Sequence, residues 1–282
     1  MRKEKIMVER RNIIIKILQY TALIFLTVIT LLPLLWMLSS SFKLSNEVFT
    51  NPIRWLPEKF HFENYSKIWE KVNFGLFTWN SSKLTAIITI IQMITCSFAA
   101  YGFTKCKFKG RDALFLFYVS TIAIPWQIFM LPQYIMMQKV NLVDSHLGYI
   151  LIQSFAAFGV FLLRQFFQSI PEDLLEAARI DGLSEYGIYF KIVLPLAKPA
   201  MATLAIFTFV NIWNDFMGPM IYFNTEKNKT IPLGIRMFVG QYSTEYQLIM
   251  AASVLSLIPV LIMYVFCQKY FVQGIATSGL KG

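Results

Sequence analysis

Residues Pro171–Ala200 read PEDLLEAARIDGLSEYGIYFKIVLPLAKPA. This stretch is acidic, small-residue-rich and interrupted by glycine, and it lies between two long apolar segments. Locally it reads as two short helices around a tight corner. Ser169-x-x-Glu172 has the form of a capping box, and Pro171 suits a first helical turn. Residues 174–179 are good helix formers. Gly182 follows them, where a left-handed backbone is wanted. Ser184 can cap a second helix through Lys191, which Pro195 and Pro199 then stop. Leu174, Ala178 and Asp181 recur on one side of the first helix, flanked by Leu175 and Gly182. Ala177 and Ala178 let another surface approach closely, while Glu176, Arg179 and Asp181 offer charge-assisted hydrogen bonds. A helix lying on lipid wants a basic polar face. This one carries Glu172, Asp173, Glu176, Asp181 and Glu185, so a protein partner fits better.

The chain around this segment is built for a bilayer. Its 282 residues are 56% hydrophobic and only 15% charged, and mean hydropathy is +0.53. An average soluble domain carries about a quarter charged residues. The apolar residues fall into six blocks, roughly 15–38, 83–104, 113–136, 147–168, 200–223 and 248–271. Each is long enough, at more than the ~20 residues needed, to cross the hydrocarbon core as a helix. None alternates as a membrane strand would. The first block is too long for a cleavable signal core. The fold class expected is therefore all-α, a polytopic membrane protein with six transmembrane helices.

The net charge of +10 is concentrated between the blocks. Arg2, Lys3, Lys5, Arg10 and Arg11 precede the first, and Lys105, Lys107, Lys109 and Arg111 sit between the second and third. Positive loops face the cytoplasm, so both termini and the acidic segment are placed there. A basic stripe on a polar face is missing, which argues against nucleic acid and for membrane lipid. The long outward connection after the first block, with Trp55, Tyr65 and Trp69, reads as an ordered cap at the membrane interface.

The acidic segment also resembles something known. "EAARIDG", nine residues, then "IVLP" is similar to the EAA-loop signature of binding-protein-dependent ABC importer permeases, carried here by Glu176, Ala177, Ala178, Gly182, Ile192, Leu194 and Pro195. "FGVFLLRQFFQSIPEDLLEAARIDG" and "FVNIWNDFMGP" resemble the carbohydrate branch, on the side of the maltose-type six-span subunit. The resemblance covers roughly residues 75–282, with a small departure in the tail "GIATSGLKG". It implies the type I ABC importer permease fold in a bacterial inner membrane. It also implies three segments: 1–82 with the first helix and the outward loop; 83–272 as the permease core, with the EAA loop at 169–195; and a cytoplasmic tail at 273–282. Glu176, Ala177, Ala178, Asp181 and Gly182 would dock on a cytoplasmic ATPase. The implied partners are two ATP-binding subunits, a second permease forming a heterodimer, and an extracytoplasmic substrate-binding protein. ATP and Mg would be held by the partner ATPase, with no cofactor on this chain.

The chain has no P-loop, no H-E-x-x-H and no G-x-S-x-G, so it is read as a transport subunit and not an enzyme. For Asn211, Trp213, Asn214 and Asp215 two readings stand side by side: amides, a carboxylate and a ring lining a sugar pathway, or a hydrogen-bonded cluster holding helices together. Trp126, Gln127 and Gln133, beside Pro125 and Pro132, are candidates for a gate on a bent helix, or for a kinked packing helix with a Gln hydrogen-bonded to a neighbour. The spans are nearly free of Lys and Arg, which favours a neutral sugar over glycerol phosphate or an amino acid. A secondary transporter would show ionisable residues in several spans or inverted repeats.

Overall fold

A computed structural model describes residues 2–240 and 243–279, with side-chain surroundings for 13–240 and 243–268. Residues 280–282 of the expected tail lie outside the described residues. Fifteen α-helices are described, in order α1 (Arg2–Ser40), α2 (Ser45–Val48), α3 (Glu63–Lys71), α4 (Phe74–Lys105), α5 (Arg111–Ser120), α6 (Trp126–Lys139), α7 (His146–Gln153), α8 (Ala157–Gln168), α9 (Glu172–Ile180), α10 (Glu185–Ile188), α11 (Leu194–Leu196), α12 (Lys198–Trp213), α13 (Met217–Tyr222), α14 (Ile231–Arg236) and α15 (Tyr246–Gly279). A π-helical turn, Tyr189–Val193, joins α10 to α11. There is no strand among the described residues, only an isolated bridge between Val239 and Thr244.

Three helical stretches are long and apolar enough to cross a bilayer: Ile13–Ser40, Phe74–Lys105 and Tyr246–Gln268. Three further stretches are broken: Arg111–Ala123 with Trp126–Lys139 bends by 99°, His146–Gln153 with Ala157–Gln168 by 41°, and Glu185–Leu196 with Lys198–Trp213 by 77°. Counting each bent pair as one crossing gives six. The first break follows from Pro125, which drives Ile124 out of helical space (φ −86°, ψ 115°). At the last break, Pro199 opens α12, where a missing N–H costs nothing. Pro195 has no N–H for the Lys191 carbonyl, and the backbone widens into the π turn just upstream. The second helix of the acidic segment therefore continues through Pro195 to Leu196, past the stop expected from the sequence.

The described chain divides into two units, residues 1–72 with 235–255, and 73–234 with 256 onward. In the first, the connection after α1 folds around two buried polar side chains. Asn64 Nδ2 donates to the carbonyls of Ser41 and Lys43, each at 2.9 Å. The Lys43 ammonium lies 4.2 Å from the Trp36 ring centre and donates to Arg54 O at 2.5 Å. Tyr65 shares a 2.8 Å hydrogen bond with Ser41 Oγ, while Trp55 and Trp69 are exposed. Lys71 pairs with Glu245, and Phe49 meets Tyr246 edge-on at 4.8 Å.

In the second unit α4 is the central post, with α8 and α12 packed along it. Its buried face carries Asn80, Ser81, Thr85, Thr89, Gln92 and Ser97, an unusual density of polar groups for an apolar helix. Several of these, with Thr95 beside them, serve backbone outside α4: Ser81 Oγ accepts the Ile231 N–H at 2.9 Å, while the Thr85 and Thr89 hydroxyls find no partner among the described residues. Gln92 Nε2 donates to Gln153 O (2.6 Å) and Thr95 Oγ1 to Ser154 O (2.8 Å), both at the α7–α8 break. Asn80 Nδ2 donates to the carbonyls of Lys227 and Lys229. With no water in hydrocarbon, such groups must be paired internally. Gly159 lets α8 approach closely: a Cβ there would lie 2.8 Å from Cys96 Sγ and 2.9 Å from Leu204 Cδ1.

Candidate functional site

The acidic segment forms the helix–corner–helix read from the sequence, with a different entrance. Ser169 Oγ donates back to Phe166 O at 2.7 Å and closes α8, so it does not cap α9. Pro171, extended at ψ 134°, is the residue before α9 and not within its first turn. The exit is as expected. Gly182 sits at φ +83°; its N–H donates to Arg179 O and the Leu183 N–H to Ala178 O, both at 3.0 Å. That pair of bonds is a Schellman closure, which satisfies carbonyls the helix end leaves open. Ser184 Oγ then accepts the Gly187 N–H at 3.2 Å and starts α10.

Which face of α9 is available differs from the sequence expectation. Leu175 and Ala178 are buried in one core with Phe167, Ile170, Ile188 and Tyr189. Ala178 is thus a packing residue against the chain's own bundle, because the i, i+3 pair Leu175–Ala178 supplies the inward stripe. Glu176, Ala177, Asp181 and Gly182 are exposed together as expected. Two large apolar side chains join them that the motif did not single out: Ile180, 86% exposed, and Tyr186, 72% exposed. Leu174 is also on the open side.

Arg179 does not offer its charge outward. It donates to Glu172 Oε1 (3.2 Å) and Glu185 Oε1 (2.9 Å), and the two carboxylates hold the guanidinium above its usual range. Burial pushes the Glu172 carboxyl up, but Arg179 and Lys105 outweigh it and the net shift is downward. Lys105, expected only as a topology-setting charge, is buried and donates to Ile170 O (2.9 Å) and Glu172 Oε2 (3.3 Å). Tyr101 OH, one turn earlier on α4, donates to Glu185 Oε2 at 2.6 Å.

Of the pathway candidates, Trp213 and Asp215 hold helices together. Trp213 is buried, donates through Nε1 to Ser256 O at 2.9 Å, and has Phe209 stacked parallel at 5.8 Å. Asp215 lies in the break between α12 and α13. It accepts from Tyr149 OH at 2.5 Å and from the Gly218 N–H at 3.1 Å. Asn214 Nδ2 bonds back to Val210 O at 2.8 Å but stays exposed, as do Asn211 and Gln127. Trp126 is half-buried and donates to Gln133 Oε1, which Tyr222 OH also reaches, each at 3.1 Å. Gln133, not Gln127, organises that corner.

On the connection after α6, Asp144 pins the polar loop at 224–228. Its Oδ1 accepts from the Asn224 N–H (2.9 Å), the Thr225 N–H (3.1 Å) and Asn228 Nδ2 (3.0 Å). Partial burial raises this carboxyl, yet the hydrogen bonds from Asn228 and Thr225 bring it down to about 2.

The chain is similar to known proteins over most of its length. The chain is 35% identical to the arabinooligosaccharides transport system permease protein AraQ of Halalkalibacterium halodurans, over 92% of this chain and 94% of that protein. It is 33% identical to the diacetylchitobiose uptake system permease protein NgcG of Streptomyces coelicolor, over 94% and 88%. A chain in the crystal structure of a bacterial ABC transporter involved in the import of the acidic polysaccharide alginate superposes with TM-score 0.79 at 26% identity, covering 92% of this chain and 96% of that one. The helices described here thus take the type I ABC importer permease fold. Residues 92–277, which hold the α9 segment and the helices packed around it, match the family described as binding-protein-dependent transport system inner membrane component, and the chain belongs to that family.

Proposed function

We propose that this chain is one permease subunit of an ATP-driven, binding-protein-dependent importer for a sugar or oligosaccharide. It forms half of the pathway and is moved by a separate ATPase gripping α9. The observation that carries this reading is the split character of α9. One face is sealed into the bundle through Leu175 and Ala178, while Glu176, Ala177, Ile180, Asp181, Gly182 and Tyr186 are left open. Carboxylates beside exposed apolar side chains, next to a small-residue helix surface, suit a protein groove and not an anionic leaflet.

The positive loops set both termini and α9 on the cytoplasmic side. ATP and Mg belong to the partner ATPase, two copies of which meet two permeases. The second permease is a related chain, so the pore is a heterodimer, and a substrate-binding protein delivers solute from outside. A neutral sugar is favoured because the exposed pathway candidates, Gln127, Asn211 and Asn214, are amides that hydrogen-bond hydroxyls without charge. The relatives named for arabinooligosaccharides and diacetylchitobiose point the same way. Asp215, the candidate for ion-coupled chemistry in the fifth block, already has Tyr149 and Gly218 as partners, which disfavours a secondary transporter.

The test is reconstitution in nanodiscs with a second permease, an ATPase and a substrate-binding protein from the same genome. Oligosaccharide-loaded binding protein should stimulate ATP hydrolysis, whereas glycerol phosphate and amino acids should not. Failure of the ATPase to co-purify, or stimulation by the charged solutes alone, would overturn the assignment.

A further inference from the structure

The bonds around α9 close on themselves. Lys105 on α4 bridges to Glu172, at the start of α9. Glu172 bridges to Arg179 in the last turn of α9, and Arg179 to Glu185 in α10. Glu185 accepts from Tyr101, which brings the chain of bonds back to α4 one turn from where it began. Two cations face two carboxylates. Resting on the α-helical reading of the coupling segment proposed above, we infer that Tyr101, Lys105, Glu172, Arg179 and Glu185 form a clasp that makes α9 and α4 one rigid lever, so that motion delivered to α9 enters the bundle through α4.

Three features carry this. First, both ends of α9 are tied to the same helix, which opposes tilting as well as sliding. The floor beneath the clasp is apolar, with Leu175, Ala178 and Ile188 packed in one core with Ala100 and Tyr101. Second, the Lys105 side chain is only 5% exposed, whereas Glu172, Arg179 and Glu185 are 44%, 34% and 50% exposed. Exposed pairs hold weakly on their own. A buried ammonium is different: losing Glu172 would leave a largely desolvated charge without its counter-ion. Lys105 is therefore the positioning residue of the set. Third, the alternative route is indirect. From α10 the chain passes through a π turn and a 77° bend before α12. A push along it must change direction before it reaches α12. By contrast α4 is one unbroken helix, packs along both α8 and α12, and holds α12 through Thr208 Oγ1 to Gln92 Oε1 at 2.9 Å.

The experiment uses the full transporter in nanodiscs and three variants of this chain: Lys105→Met, Lys105→Arg and Tyr101→Phe. Two quantities are read: solute moved per ATP hydrolysed, and the distance between spin labels at Asp173→Cys on α9 and Ile94→Cys on α4, with and without trapped ATP. The unsubstituted clasp should give the same label distance in both nucleotide states. Lys105→Met should widen that distribution on ATP binding and lower solute per ATP at least about fivefold, the lower edge of ordinary coupling between sites. Lys105→Arg, which keeps the charge and the donors, should restore both. Wild-type values of both quantities in Lys105→Met, or an equal defect in Lys105→Arg, would overturn the inference. Should Lys105→Met fail to assemble, Tyr101→Phe removes one hydrogen bond and leaves the ion pairs; a lowered ratio then supports the clasp and an unchanged ratio overturns it. Failure of the coupling assignment itself looks different, since the wild-type chain would then bind no ATPase.

Discussion

Replacing Gly182 isolates one backbone term in the α9 corner. Gly182 lies at φ +83°, and a Cβ built on it meets nothing within 4 Å. Alanine there would cause no clash, so its whole cost is the left-handed backbone, about 1–2 kcal/mol. That cost falls on the corner that closes α9, whose reporters are the N–H groups of Asp181, Gly182 and Leu183, bonded to Ala177, Arg179 and Ala178 carbonyls at 2.9–3.0 Å. A penalty of this size multiplies local opening by about 5–30-fold. Hydrogen–deuterium exchange of peptides spanning 172–188, measured on the nanodisc-embedded chain, should show Gly182→Ala exchanging faster by that factor. Gly182→Asn should exchange at a rate much nearer wild type, because asparagine tolerates left-handed backbone far better than alanine. Equal acceleration in the two variants, or none in either, would show that the conformation at Gly182 is not what holds the corner.

Two other perturbations test the remaining polar anchors. Asp215→Ala strands the buried Tyr149 hydroxyl at a cost of about 1–3 kcal/mol; the melting temperature should drop by several degrees and recover partly in Asp215→Ala/Tyr149→Phe, whereas no drop would remove the structural role assigned to Asp215. Asp144, held at about 2 in the folded chain against an ordinary ~3.9, contributes in full above the ordinary range and loses that contribution as pH falls through about 2. Asp144→Ala should thus be cleaved by trypsin at Lys227 or Lys229 at neutral pH where the wild type resists, and the wild type should become pepsin-sensitive at this loop only between about pH 4 and 2; equal trypsin cleavage of both proteins would refute the pin.

The helical crossings were legible because length and apolarity suffice to specify them, and the α9 corner was legible because Gly182 and Ser184 are each demanded by a backbone need. The α7–α8 break was not. Ser154, Phe155 and Ala156 contain neither proline nor glycine, and the carbonyls freed there are satisfied by Gln92, Thr95 and Cys96, some sixty residues away in sequence. No local pattern encodes that compensation, although the polar density of α4 was a signal that it had carbonyls to serve. Ala178 was misplaced for a related reason. Spacing groups it equally well with Leu174 and Asp181 or with Leu175, and only the core beneath decides. Lys105 was read only as a charge setting topology, because loop charges and buried clasps look alike until Glu172 and Ile170 O are seen around the ammonium.

The breaks themselves bear on how such a bundle can move. A helix broken in hydrocarbon exposes carbonyls that cost several kcal/mol each unless paired. Here α4 supplies the donors that make the α7–α8 break persist, through side chains that are buried in Gln92 and Cys96, half-buried in Thr95 and, in Gln92, bonded onward to Thr208. A break paired in this way is a fixed feature of the fold, because straightening it would leave the buried α4 donors without acceptors, and drawing α4 away would leave the carbonyls without donors. Motion is then directed away from the α7–α8 break and into displacement of intact groups of helices that share α4. A lever clasped to the C-terminal end of that same helix delivers force where those groups converge, which is why the polar stripe at mid-helix and the charged clasp at its end belong to one mechanical argument.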